Sequence, residues 1–163
     1  MDYVSGMRGA AIGARLRRLS VLIDAQAARV YDACGVTFEQ RWFGVVNQLA
    51  LHGPLGVGDL AEALGVSHPS ISETRQSLER AGLITLEPDP ADARRRTLAL
   101  SAAGEDLVAR LAPVWKQLDA AARELDEEAG HVVEALARLE AALERRSLQA
   151  RVADHAAGLQ GVR

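Results

Sequence analysis

Residues 60–87 read LAEALGVSHPSISETRQSLERAGLITLE. Leu60, Ala61 and Leu64 recur at helical spacing, and Gly65 stops them, because glycine closes a helix by taking the left-handed conformation at no steric cost. Ser67 is then a good N-cap, and Pro69 falls in the first turn of the next helix, where its missing N–H does no harm. The period predicts that this helix runs to Ala81 and is closed by Gly82. Beyond Gly82 the pattern changes: Leu83–Glu87 and Arg96–Leu100 are short, partly alternating segments separated by a loop rich in Pro, Asp and Ala. They predict a β-hairpin with a long tip.

Working outward, apolar positions Ile12, Leu16, Leu19, Ile23, Ala27, Val30 and Cys34 recur at steps of three and four, the stripe of a long amphipathic helix from Ala10 to Cys34 that Gly35 ends. Thr37, Phe38, Glu39 and Gln40 have the form of a capping box. A helix carrying Trp42, Phe43, Val45, Val46 and Leu49 should follow to about His52, where Gly53-Pro54-Leu55-Gly56 breaks it. On the other side Ser101 should cap a helix with Leu107, Val108, Leu111, Val114, Trp115 and Leu118 apolar and a kink at Pro113. Gly130 separates it from a last helix whose Val132, Val133, Leu136, Leu139 and Leu143 should form a buried stripe, and residues after about Arg151 should fray.

Composition narrows the function classes. The 163 residues carry 48% hydrophobic content and a formal charge of −3, enough to bury a core but too acidic for a broad nucleic-acid binder held by many phosphate contacts. No apolar run is long enough for a spanning helix and no signal core opens the chain, so the expected location is cytoplasmic. One cysteine, Cys34, and four scattered histidines argue against disulfides, metals and other cofactors. No Gly-rich phosphate loop, serine elbow or catalytic carboxylate pair is evident, so enzyme chemistry is not expected.

Helix, tight turn, helix and two-stranded ribbon is the order of a winged helix-turn-helix, in which the second helix enters the major groove of DNA and a ribbon tip can reach the minor groove or backbone. The fold class expected is mainly α with a small β-hairpin wing. Residues 38–107 also resemble the MarR-type winged-helix transcriptional regulators. The resemblance is carried by Leu60-Ala-Glu-Ala-Leu-Gly-Val66, by Leu78-Glu-Arg-Ala-Gly-Leu-Ile84, and by the wing from Asp89 to Arg96 followed by Leu100-Ser-Ala-Ala-Gly104. It implies a homodimer that presents two recognition helices to a palindromic operator, with residues 1–36 and 102–150 as dimerisation helices, 37–101 as the DNA-binding domain and 151–163 as a frayed tail.

With Ile71 as the inward reference at about 100° per residue, Thr74, Arg75 and Leu78 fall on the buried side of the second helix. Pro69, Ser72, Glu73, Gln76 and Arg80 fall on the other. Gln76 suits adenine, Glu73 can accept from cytosine N4, and Ser70 and Ser72 suit phosphate or base, with Ser67, His68 and Pro69 at the approaching end. Relatives often carry a basic residue where this chain has Glu73 and a cation where it has Ser77. In the wing, Asp92 resembles the family carboxylate that orients an arginine, here Arg94, for the minor groove, while Arg95 and Arg96 face phosphate or the strand base. From Ser67 to Ser101 five arginines are balanced by five carboxylates, so contact with double-stranded DNA is expected to be local, and either weak or highly sequence-dependent.

The resemblance further implies a small aromatic or anionic effector. Tyr31, Phe38, Trp42, Phe43 and Trp115, with Arg15 or Arg18 as counter-charge, are the residues expected to hold it. Cys34, next to Gly35 and without a nearby His or Lys, reads as a plain buried thiol rather than a redox sensor. An alternative stays open. Thr37–Phe43 and Ser67–Ser70 resemble a branch fused to N-acetyltransferases, so the chain could instead be a protein-interaction or regulatory module with weak or no DNA binding.

Overall fold

The computed structural model describes residues 11–89 and 95–160. Among the described residues seven α-helices and a small antiparallel sheet follow in the order α1 (Ala11–Ala33), α2 (Phe43–His52), β1 (Leu55–Gly56), α3 (Val57–Leu64), α4 (His68–Arg80), β2 (Ile84–Pro88), β3 (Arg96–Leu100), α5 (Ala102–Glu128), α6 (Val132–Arg145) and α7 (Leu148–Gln160). The chain divides after Pro113 into two compact units.

In the first unit the sheet order is β1-β3-β2, so β3 is central. Leu86 faces Leu98 across the hairpin, and Leu55 faces Leu98 from the other side. Leu98 is accordingly fully buried, and it shares the core with Tyr31, Val45, Val46, Leu60, Ile71, Leu78 and Leu111. The strand β1 lies in the Gly-Pro segment expected to be a plain break. Two residues carry no readable period, and their pairing depends on a partner strand more than forty positions away.

The helix-turn-helix forms as its punctuation dictates. Gly65 is left-handed at φ 63° and its N–H reaches back to Ala61 and Glu62, closing α3. Ser67 caps α4 by accepting from the Ser70 N–H at 3.4 Å, Pro69 lies in the first turn, and Gly82 turns the chain out at φ 70°. The cap expected at Thr37 does not form. A single 3-10 turn over Gln40–Trp42 precedes α2 instead, and the Gln40 side chain accepts from the Tyr31 hydroxyl at 2.7 Å rather than reaching back along the chain. The buried tyrosine needs a partner for its hydroxyl, and that tertiary demand outweighs the local box.

At the end of α1, Tyr31 takes the inward position and Cys34 is exposed, not buried. Cys34 lies past the last helical residue, in the turn made by Gly35, so the i+3 relation no longer carries it to the inner face. Further up α1, Ile12, Leu16, Leu19 and Ile23 are between 40% and 54% exposed.

In the second unit none of the residues of α6 is buried: of the stripe expected to pack inward, Val132, Val133 and Leu143 are exposed and Leu136 and Leu139 half-buried within the single chain. Val133 N–H donates to Asp126 Oδ1 at 2.9 Å and fixes the start of α6. Residues expected to fray after Arg151 continue as α7. Ser147 Oγ accepts from the Ala150 N–H at 3.2 Å, Arg151 donates to the Ala142 and Arg146 carbonyls at 2.8 and 3.2 Å, and Arg146 pairs with Asp154. These contacts satisfy groups that a helix terminus otherwise leaves to water.

Candidate nucleic-acid interface

One face of α4 is committed to the core and the other is open. Ile71, Thr74, Ser77 and Leu78 are buried, whereas His68, Pro69, Ser70, Glu73, Gln76 and Arg80 are exposed and Ser72 is half-buried. Ser67, also exposed, shares a 3.1 Å contact between its hydroxyl and that of Ser70, so both serines are partly engaged in closing the first turn. Gln76 keeps its amide side chain outward while its carbonyl receives the Arg80 Nε at 3.2 Å.

The buried stripe is rotated from the one the period predicts. Arg75 is half-exposed and paired with Glu79 at 3.0 Å, and Ser77 is buried in its stead. The cause is the 3-10 turn before α2: Trp42 Nε1 donates to Ser77 Oγ at 3.1 Å, and Arg41, held by Glu39 at 2.5 Å, donates to the same oxygen at 3.2 Å. A cation at this position would be buried against Trp42 and Arg41, so the missing positive charge at Ser77 is a packing requirement and not a loss from an outer surface.

The sheet brings the wing base to the same lobe. Arg95 and Arg96 are exposed, and the Asp89 N–H donates to the Arg95 carbonyl at 3.0 Å. Asp92 and Arg94 lie outside the described residues. At the other end of the hairpin, the Ser101 N–H donates to the Leu83 carbonyl at 3.0 Å and the Ser101 hydroxyl donates to the Gly82 carbonyl at 2.6 Å. The same hydroxyl accepts from the Gly104 N–H at 3.1 Å, so one serine joins the exit of α4, the wing and the start of α5.

The aromatic residues expected around an effector separate into two roles. Tyr31, Phe38 and Trp42 form an edge-to-face series with centroids 4.9 and 5.7 Å apart, and all three are buried. Phe43 is half-buried on α2, Arg15 and Arg18 are exposed on α1, and Trp115 belongs to the second unit. Trp42 is the member of this group that also walls an open cavity of about 510 Å³, together with Thr37, Ala81, Leu83, Asp106 and Arg110 among others. Nothing in the sequence period marks this cavity, because its walls come from four separate segments. Among the described residues no group of three or more His, Cys, Asp or Glu side chains is placed to hold a metal, and no helix is long and apolar enough to cross a membrane.

Residues 35–95 match the model of the MarR family. A Thauera aromatica protein named as a transcriptional regulatory protein for the hcr operon is 31% identical over 141 residues, spanning 85% of this chain and 84% of that one. The chain belongs to the MarR family. Solved structures of regulators share its fold, among them the two that follow. The S. aureus MepR–DNA complex aligns with a TM-score of 0.63 at 20% identity, covering 81% of this chain and 96% of MepR. Bordetella bronchiseptica BpsR, whose DNA binding is regulated by 6-hydroxynicotinic acid, aligns with a TM-score of 0.61 at 20% identity, covering 79% and 92%. The protein is thus a DNA-binding transcriptional regulator built on a winged helix-turn-helix, in a family whose members are regulators and not, in general, enzymes.

Proposed function

We propose that this MarR-family protein acts as a cytoplasmic, non-enzymatic homodimer that represses transcription by occupying a palindromic operator and leaves it when a small aromatic or anionic molecule binds. The observation that carries the DNA-reading part is α4: a capped helix whose inner face is locked by packing while Pro69, Ser70, Glu73 and Gln76 remain open to a groove. In this assignment Ser67, His68, Pro69, Ser70, Ser72, Glu73 and Gln76 meet bases and phosphates, Arg95 and Arg96 meet phosphate, and Asp92 orients Arg94 toward the minor groove. Residues 37–101 are the reading domain, and residues 1–36 and 102–150 supply the dimer.

The cavity beside Trp42 supports the effector reading. Asp106 and Arg110 stand one helical turn apart on its wall, and neither is ion-paired among the described residues. An acceptor and a cation at that spacing, next to an indole, suit an aromatic acid that carries a second donor group. Arg110 takes the counter-charge role that the family resemblance suggests for Arg15 or Arg18.

Binding to fragments selected from random DNA, measured against salt with and without benzoate or 6-hydroxynicotinate, tests both parts. Selected fragments should bind with a salt slope set by few phosphates. Arg95→Ala and Arg96→Ala should each reduce that slope by about 0.9 for every phosphate the arginine neutralises. Gln76→Ala should instead cost about 1–3 kcal/mol at one base position and leave the slope unchanged. Failure to select any sequence would favour the interaction-module reading, for which the balanced charges of the DNA-facing segment give a physical reason.

A further inference from the structure

Ser77 accepts two hydrogen bonds from groups outside its own helix, and one of the donors is a wall of the cavity. Trp42 Nε1 and Arg41 both donate to Ser77 Oγ, at 3.1 and 3.2 Å, and the hydroxyl is buried. A hydroxyl oxygen has two acceptor positions, so these donors fill it. Ser77 lies on α4 one turn after Glu73 and directly after Gln76, both on the open face, so the bond pair sets the rotation of the helix whose other side is offered to DNA.

The cavity touches α4 in two ways. Ala81, the residue that caps the C-terminus of α4, lines it directly. Trp42 lines it too, and its indole N–H is bonded to Ser77. These routes differ in what they need: the first requires contact, and the second requires the Ser77 oxygen. Leaving a buried indole N–H without its acceptor is costly, so a ring that shifts must either take the serine with it or break the bond.

We propose that Ser77 is a positioning residue that couples the cavity to the recognition helix: with the cavity empty, Trp42 and Arg41 hold α4 in its DNA-reading rotation, and an occupant that moves the Trp42 ring releases it. This rests on the reading of the cavity as the effector site. It also accounts for a serine, and not a cation, at a position whose side chain is enclosed by two donors. The occupant's chemistry sets affinity through Asp106 and Arg110. The response is set by Trp42 and Ser77.

A built-in occupant makes the test independent of any ligand. Ala103, an exposed residue on the cavity wall, is changed to Phe, and Leu107→Trp serves as a second filling variant should the first side chain swing to solvent. Each is combined with Ser77→Ala, and affinity for the best selected DNA fragment is measured for full-length protein with intact far-UV circular dichroism. In the Ser77 background filling should weaken DNA binding about tenfold, and in Ser77→Ala by less than about twofold, a coupling of the size found between residues in one hydrogen-bond network. Ser77→Ala and Trp42→Phe should each weaken binding, the pair together no more than the stronger single change, and Ser77→Thr, which keeps the hydroxyl, should restore it. Equal loss on filling in both backgrounds would overturn the Ser77 route while leaving the cavity reading intact. No loss from either filling variant in the Ser77 background would overturn the cavity reading and the proposal with it.

Discussion

Gly104→Ala is expected to destabilise the fold by about 3 kcal/mol, at the upper end of what overpacking usually costs. A Cβ at this position would lie 2.2 Å from the Leu83 carbonyl oxygen, 3.2 Å from its carbon and 3.3 Å from Leu100 Cδ2. The oxygen cannot retreat freely, because it accepts the Ser101 N–H at 3.0 Å. Nor can the start of α5 shift, since the Gly104 N–H is tied to Ser101 Oγ, which is itself bonded to the Gly82 carbonyl. Helix propensity pulls the other way: alanine is better than glycine in a helix by about 1 kcal/mol. The closest clash is with the Leu83 backbone and not with a flexible side chain, so it decides the sign. For a chain of this length the melting temperature should fall by roughly 6–12 °C, measured by circular dichroism against Ser101→Ala, which loses a cap worth about 1 kcal/mol. A melting temperature equal to or above that of the parent would show that the wing and α5 can separate without cost, and the three-way joint at Ser101 would lose its structural meaning.

That joint explains why Leu100-Ser-Ala-Ala-Gly104 is readable as a resemblance before its physics is. The motif needs a hydroxyl that bonds two ways and a residue without a side chain three positions on, and both demands are visible as residue types. The same holds for α4, whose limits are legible because Ser67, Pro69 and Gly82 act within a turn of where they stand. Its exposed face is legible as well, since a rotation of about 100° per residue needs no knowledge of neighbours. Ser77 is not, because its burial is imposed by Trp42, thirty-five positions earlier. Gln40 misleads for the same reason: its partner is Tyr31, reached across the turn after α1, and not the backbone of a local cap. The two-residue strand β1 escapes because pairing, not pattern, defines it. Local chemistry can be read from order alone, and what fails is whatever a distant side chain or strand decides.

Leu19→Glu combined with Ile23→Glu is expected to abolish high-affinity operator binding without touching any residue assigned to DNA. Within the single chain α1 leaves Ile12, Leu16, Leu19 and Ile23 open on one stripe, and α6 buries none of its own residues. Fully covering a Leu or Ile side chain is worth about 1.5–3 kcal/mol, so a stripe of four left in water is a strong drive for association with a like surface. The DNA-facing segment cannot compensate for losing a partner, because its five arginines are balanced by five carboxylates and its single-site electrostatic attraction is small. In the homodimer proposed above, tight binding comes from two recognition helices engaging two half-sites at once, the second engagement being intramolecular after the first. Breaking the pair should cost on the order of a hundredfold in affinity, at the low end of what linkage of two sites supplies. Sedimentation at micromolar concentration should show the parent as a dimer and the double variant as a monomer with unchanged helix content. Gln76→Ala, by contrast, should weaken binding with the dimer intact. A variant that sediments as a monomer yet holds its selected DNA as tightly as the parent would place the whole affinity in one winged domain, and the balanced charge of that domain would then require a source of attraction that neither α4 nor the wing base supplies.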